Sequence, residues 1–96
     1  MPLRFDWDEA NVAKIWLKHR IGPDEAESVF DDPFRYVAAT REAQGEMRYI
    51  CVGTSNKDKL RTAVYTKRVQ KIRIISCRYA NKKEIRRYLE RKNLAG

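Results

Sequence analysis

The spacing of apolar residues over the first third of the chain predicts a short strand followed by helices. Alternation of apolar and polar residues over residues 3–7 is typical of a half-buried strand. Asp6 or Asp8 then provides the cap of a helix that begins near Glu9. Residues at helical spacing give this helix an apolar stripe, which comprises Ala10, Ala13, Trp16 and Leu17.

A second helix is predicted directly after the first. Gly22 breaks the first pattern, and Pro23 suits the opening turn of the next helix because proline lacks the N–H that a helix start leaves unpaired. The Asp-Asp-Pro sequence at residues 31–33 ends this helix. Its predicted apolar face comprises Ala26, Val29 and Phe30.

The rest of the chain predicts a sheet and a final helix. Short polar turns imply antiparallel pairing between three or four strand candidates, at residues 34–38, 47–52, 60–65 and 72–79. The last helix covers about residues 81–92, with Asn81 as its N-cap and Glu84 placed as in a capping box. Its predicted apolar face comprises Ile85, Tyr88 and Leu89.

These elements predict an α+β fold. An antiparallel sheet of about four strands is expected to pack with two N-terminal helices and one C-terminal helix. A chain of 96 residues can bury one modest core, so we expect a single domain over residues 1–96.

The balance of charge narrows the class of partner. The chain has 21 basic and 13 acidic residues, a net charge of +8, which favours nucleic acid, an anionic membrane surface or an acidic protein. No apolar run approaches the roughly 20 residues of a membrane-spanning helix, and residues 1–6 lack an apolar signal core. We therefore expect a cytoplasmic protein without a membrane partner.

The two cysteines and one histidine argue against a metal or a disulfide. Cys51 and Cys77 both lie in apolar strand-like runs, so we expect two small buried hydrophobic residues. A structural zinc site usually has four ligands, which these residues do not provide in a known spacing. No metal and no cofactor are predicted.

The basic strand at residues 71–80 indicates an anionic polymer, RNA, as the ligand, because a rigid strand holds guanidinium groups in fixed positions. Strict alternation would place Arg48 on the same face as Ile50 and Val52. The same rule places Arg78 with Ile72, Ile74 and Ser76, and it places Arg73 on the opposite face with Ile75, Cys77 and Tyr79.

An ordered set of residues closely resembles the BrnT family, the toxin components of type II toxin–antitoxin modules. The resemblance covers residues 5–88. It rests on a Trp-Asp start, a Lys-His helix end, a Val-Phe-x-Asp-Pro segment and an Ile-Ser-x-Arg strand. The residues concerned are Phe5, Trp7, Asp8, Lys18, His19, Glu25, Ala26, Val29, Phe30, Asp32, Pro33, Glu46, Arg48, Gly53, Arg73, Ile74, Ile75, Ser76, Arg78, Ala80, Glu84 and Tyr88.

This resemblance implies a small ribonuclease with a RelE-like fold that is neutralised by a cognate antitoxin. The antitoxin of such modules typically has a ribbon–helix–helix DNA-binding domain, and a 2:2 complex binds the operator DNA through it. Members usually have lysine and asparagine where this chain has Asn11 and Ile15, and glycine where it has Arg20.

Metal-independent RNA cleavage needs a proton acceptor for the ribose 2′-hydroxyl and cations around the developing negative charge. His19 is the one histidine, so a second proton-transfer role falls to Glu46, a lysine, a tyrosine or no residue. We place Arg48 and Arg78 around the scissile phosphate, with Glu46 on the face of Arg48. The predicted catalytic residues are His19, Glu46, Arg48 and Arg78, and the predicted RNA-binding residues are Lys18, Arg73, Tyr79 and Arg87.

Each prediction has a structural alternative. His19 is also suited to cap a helix C-terminus, Glu46 and Arg48 to form a surface ion pair, and Arg78 to bind backbone carbonyls. Residues 82–92 are suited to a solvated helix face. The alternative function is a basic module that binds RNA or an acidic protein and cuts nothing; incubation with RNA in EDTA separates the two.

Overall fold

Five strands form one sheet, with helices on both of its faces, in a computed structural model that describes residues 3–95. Met1 and Pro2, part of the N-terminal segment expected to lack a signal core, lie outside the described residues, as does Gly96. The elements are β1 (Phe5–Asp6), α1 (Glu9–His19), α2 (Pro23–Ser28), a 3₁₀ turn (Val29–Asp31), β2 (Tyr36–Ala43), β3 (Glu46–Thr54), β4 (Leu60–Arg68), β5 (Lys71–Tyr79) and α3 (Lys82–Ala95).

The sheet is mixed, which corrects the predicted antiparallel sheet of about four strands. Its strand order is β1-β5-β4-β3-β2, and β2 to β5 form an antiparallel meander. β1 adds a fifth strand parallel to β5, with Phe5 opposite Ile72 and Asp6 opposite Arg73. The α+β class and the three helices agree with prediction. The alternation at residues 3–7 predicts the strand itself, but it does not show that the strand joins the sheet beside β5, a distant segment of the chain.

The first helix is capped as predicted but buries a different face. The Asp8 carboxylate accepts a hydrogen bond of 2.8 Å from the N–H of Ala10. Ile15 is 5% exposed, whereas the predicted stripe residues Trp16 and Leu17 are 46% and 72% exposed. Apolar residues lie on several sides of this short helix, so their spacing did not identify the side that meets the sheet.

Arg20 ends the first helix in a left-handed conformation. Its φ is 57° and its ψ is 34°, and its N–H donates to the carbonyl of Trp16 at 2.8 Å. Glycine usually occupies such a position because it has no Cβ to clash. This conformation suits the glycine that the resemblance leads us to expect at position 20.

The main core lies between the sheet and the N-terminal helices. Phe30 packs edge-on against Tyr65, with ring centroids 5.0 Å apart. The buried residues of this core are Ile15, Ile21, Ala26, Val29, Phe30, Cys51, Ala63, Tyr65, Ile74 and Cys77. Burial raises the pKa of Cys51 to about 11 and that of Cys77 to about 12, so both thiols stay protonated at neutral pH. The prediction of two buried, unbridged cysteines is confirmed.

A bulge in β5 changes which side chains share a face of the sheet. Val64 lies opposite Ser76 while the next residue, Tyr65, lies opposite Ile74, so Ile75 is an extra residue. Arg73 lies opposite Thr66, which lies opposite Arg48, so these three side chains share a face. The predicted placement of Arg73 on the other face is wrong because strict alternation does not allow for a bulge.

The C-terminal helix packs on the face that the main core leaves open. The predicted capping box is confirmed: the Asn81 side chain accepts from the N–H of Glu84 at 2.8 Å, and the Glu84 carboxylate accepts from the N–H of Asn81 at 2.9 Å. Tyr88 is 3% exposed and joins a second core with Tyr36 and Val52. The predicted face residue Leu89 is 49% exposed, so the buried stripe is narrower than predicted.

A single aspartate joins this helix to the turn before β2. The Asp32 carboxylate accepts hydrogen bonds from the Tyr88 hydroxyl and from the N–H groups of Phe34 and Thr54. Burial opposes the ionisation of Asp32, but these hydrogen bonds outweigh it, so the pKa of Asp32 lies below its ordinary value.

Among residues 3–95, no helix has both the length and the apolar character to cross a membrane.

Stability should fall steeply in acid because the pKa values of Asp32 and Glu84 are lowered in the folded state from their ordinary 3.8 and 4.5. Their contribution to the free energy of unfolding is complete above those ordinary values and is lost as the pH falls through the lower folded values. Urea denaturation between about pH 6 and about pH 3 measures this loss. Glu84→Gln should lower stability at neutral pH and flatten the acid limb; an equally steep limb in that variant would contradict the assignment.

Candidate active site

Three carboxylates are engaged by hydrogen bonds within the fold. Glu25 is 4% exposed and accepts hydrogen bonds of 2.9 Å from the Ser55 hydroxyl and from Nε of Arg61. Asp32 and Glu84 are similarly engaged by their neighbours. Glu25, Asp32 and Glu84 thus bind partners within the fold, and the net charge of +8 makes the chain basic overall.

His19 lies at the C-terminus of α1, beside the end of β5. The Tyr79 hydroxyl donates a hydrogen bond of 3.1 Å to the His19 carbonyl, and the two rings meet edge-on with centroids 6.0 Å apart. The guanidinium of Arg61 lies 4.5 Å from the centre of the Tyr79 ring. His19 and Lys18 both occupy the last turn of α1. His19 is therefore placed both to cap the helix and to act as the candidate base.

Burial lowers the pKa of His19 below its ordinary 6.5, and the charges of Lys18 and Arg78 lower it further. The imidazole is therefore mainly neutral at neutral pH and has a nitrogen lone pair to accept a proton. The positive charges of Lys18 and Arg78 also favour an anion beside the ring. We call His19, Lys18, Arg78 and Tyr79 the His19 cluster. It lies at one end of the sheet, where it can hold an anion and accept a proton.

Arg78 is fixed by a carboxylate on the next helix. Its Nη1 and Nη2 donate to the two oxygens of Glu84 at 2.9 and 3.1 Å, and Nη1 also donates to the Tyr79 carbonyl at 3.2 Å. Burial opposes the ionisation of Glu84, but the hydrogen bonds from Arg78, Asn81 and Thr62 outweigh it and lower its pKa. The side chain of Arg78 is 36% exposed, so the oriented guanidinium still faces solvent.

Glu46 and Arg48 lie toward the opposite end of the sheet. Arg78 is level with Val52, because both lie opposite Thr62, and Arg48 precedes Val52 by four residues. Four residues of strand span about 13 Å, and two strand spacings add about 10 Å across the sheet. Glu46 forms its ion pair with Arg68 at 3.0 Å rather than with Arg48. The structure does not bring these two residues to the His19 cluster.

The predicted RNA-binding residues are similarly divided. Lys18 and Tyr79 belong to the His19 cluster, and Tyr79 is 55% exposed. Arg73 pairs with Asp6 at 3.0 Å, and Arg87 lies over the Tyr36 ring at 5.3 Å on the side of α3. Arg61 also contacts this group of residues and was not predicted from the sequence, because only the strand register places it opposite Tyr79 and next to its ring.

No group of three or more histidine, cysteine, aspartate or glutamate side chains lies close enough to hold a metal ion within residues 3–95. The side chains that line the cluster are instead cations and aromatic rings, which suit a phosphate and a base rather than a divalent cation.

Comparison with known proteins shows the family. A family model described as the ribonuclease toxin BrnT of type II toxin–antitoxin systems matches residues 7–84. The chain belongs to the BrnT family. The resemblance predicted from the sequence is therefore confirmed.

A solved BrnT-family structure has a similar fold. The crystal structure of the Brucella abortus ribonuclease toxin BrnT superposes with a TM-score of 0.59 at 17% sequence identity, over 84% of this chain and 100% of that chain. At this identity the likeness concerns the fold alone. A search of curated proteins finds no match.

The imidazole pKa of this BrnT-family chain should rise when either neighbouring cation is removed, because a nearby positive charge disfavours the protonated ring. NMR titration follows the single histidine without overlap. We expect a wild-type midpoint below 6.5 and higher midpoints in Lys18→Gln and, to a smaller extent, in Arg78→Gln. Lys14→Gln, on the same helix, is the matched control and should leave it in place. If the titration midpoint of His19 stayed unchanged in both Lys18→Gln and Arg78→Gln, these cations would not act on the imidazole as described.

Proposed function

We propose that this protein is an endoribonuclease toxin that cleaves RNA without a metal ion, with its reaction centre at His19 and Arg78. The observation that carries the proposal is the neutral imidazole of His19 held among Lys18, Arg78 and Tyr79. Membership of a family of ribonuclease toxins supplies the substrate class. Cleavage of cellular RNA would inhibit translation, in the cytoplasm where that RNA is used.

The proposed reaction is attack of a ribose 2′-oxygen on the adjacent phosphorus. The unprotonated nitrogen of His19 takes the 2′-hydroxyl proton as the new P–O bond forms. The guanidinium of Arg78, held in place by Glu84, stabilises the negative charge that gathers on the phosphorane oxygens. The bond to the 5′-oxygen then breaks, and the exposed ammonium of Lys18 is the candidate donor of its proton.

The charges of this centre support metal independence. Lys18 and Arg78 place positive charge beside His19, where the phosphate would bind, so electrostatic repulsion disfavours a divalent cation there. The proposed centre uses neither Glu46 nor Arg48, which lie toward the other end of the sheet.

A type II module implies an antitoxin partner. We propose that this antitoxin is a ribbon–helix–helix protein that forms a 2:2 complex and binds operator DNA. The net charge of +8 supports fast association with an acidic segment, at a rate that falls as salt rises. Copurification with the product of the adjacent reading frame, followed by a cleavage assay, tests the arrangement. A product that binds without suppressing cleavage would overturn the inhibitory role.

The purified chain should cut single-stranded RNA in the presence of EDTA. His19→Ala should slow cleavage by roughly 10²–10⁴-fold because the proton acceptor is lost. Arg78→Lys should slow it by about 10²-fold because an ammonium cannot replace the oriented guanidinium. Lys14→Gln is the charge-matched control for a cation outside the centre and should keep the wild-type rate. Circular dichroism and melting curves establish that each variant is folded.

Two outcomes would contradict the proposal. Intact RNA at high concentrations of the antitoxin-free wild type would favour the alternative, a basic module that binds without cutting. A 10²-fold loss in Glu46→Ala beside a normal rate in His19→Ala would instead place the chemistry at the other end of the sheet.

A further inference from the structure

One row of side chains crosses the whole sheet on the face that carries Arg78. Strand pairing places Arg41 opposite Arg48, Arg48 opposite Thr66, Thr66 opposite Arg73, and Arg73 opposite Asp6. The bulge at Ile75 brings Arg73 onto this face. We call the members Arg41, Arg48, Thr66 and Arg73 the arginine row.

The arginine row contains two buried polar atoms that lack hydrogen bonds. Within residues 3–95, neither Nε of Arg48 nor the hydroxyl oxygen of Thr66 has a partner, and Thr66 is only 2% exposed. Buried donors are nearly always satisfied in folded proteins, because leaving one unpaired costs stability. Two adjacent unsatisfied donors on neighbouring strands therefore indicate a ligand with acceptor oxygens.

The charges around the row indicate that this ligand is an anion. Arg41 and Arg48 lie directly opposite each other, an arrangement that is unfavourable between like charges in a free sheet. Asp6 pairs with Arg73 at one end of the row and Glu46 pairs with Arg68, so within residues 3–95 neither Arg41 nor Arg48 has a carboxylate in an ion pair. An anion between the arginines would relieve the repulsion and satisfy both orphaned donors.

We infer that the arginine row binds a second phosphate of the RNA substrate, away from the phosphate that is cleaved. This inference rests on the proposed function. Arg78 lies on the same face, two side-chain rows from Arg73, so one strand of RNA bound at Arg78 can continue across the sheet. Between them the half-buried Ile50 and Val64 lie opposite each other and form an apolar floor for a ribose or base. RNA has a phosphate at every nucleotide, whereas a peptide must place a carboxylate at this spacing by chance.

The test measures binding rather than cleavage. The probe is a single-stranded RNA with a 2′-O-methyl group on every ribose, which removes the attacking hydroxyl and cannot be cut by the proposed reaction. Thr66→Val should weaken its binding about tenfold while leaving the melting temperature of the free protein unchanged or higher, because the variant also removes a buried unpaired hydroxyl. A loss of affinity without a loss of stability is a result that a purely structural threonine would not give.

Arg48→Gln should weaken binding about tenfold or more and reduce the slope of log affinity against log salt by about 0.7, the value for one phosphate contact on a single strand. Lys14→Gln, the charge-matched control on the opposite face, should change affinity less than about twofold. Wild-type affinity in a folded Thr66→Val protein together with an unchanged salt slope in Arg48→Gln would overturn the inference. The inference would also be overturned if these variants lost affinity for the antitoxin but kept their affinity for the RNA probe.

The binding assay separates this inference from the proposed function. If the wild type fails to cut ordinary RNA but the row variants still lose affinity for the methylated probe, the proposed ribonuclease centre fails and the row stands. If the wild type cuts RNA and the row variants bind the probe normally, the row fails and the centre stands.

Discussion

The buried carboxylate of Glu84 is the contact on which the rest of the α3 side depends. The carboxylate accepts hydrogen bonds from the Thr62 hydroxyl, the Arg78 guanidinium and the N–H of Asn81. The backbone carbonyl of Glu84 accepts a further hydrogen bond from the Tyr36 hydroxyl. One residue thus caps α3, fastens it to β2, β4 and β5, and orients the arginine proposed to bind the scissile phosphate. A charge with so many partners is stable when complete and costly when any partner is lost.

Carboxylates that accept several hydrogen bonds within the fold also explain how a strongly basic chain can fold while many of its cations stay exposed to solvent. Glu25, Asp32 and Glu84 hold loops, helices and strands together from inside. Cations remain on the surface beside aromatic rings, as where the exposed Lys67 lies over Tyr49. Stability and the proposed RNA affinity therefore draw on different residues over much of the molecule, and Arg78 belongs to both.

Much of this fold could be predicted from spacing, because helices and strands repeat their side chains at fixed periods. The capping box of α3 and the Lys18–His19 helix end follow from local pattern alone. The bulge at Ile75 could not be predicted, since one extra residue leaves no mark in the alternation of β5, yet it decides the face of Arg73. The partner of Glu46 was likewise hidden, because Arg68 meets it only through the register of two strands.

If the imidazole of His19 moves the proton in RNA cleavage, as we propose, the pH dependence of cleavage in EDTA reports it most directly. The wild-type rate should rise with pH through an inflection that matches the NMR midpoint of His19, below 6.5. The residual activity of His19→Ala should lack that inflection. A wild-type rate that stays constant across the titration of His19, or the same inflection in His19→Ala, would contradict the assignment.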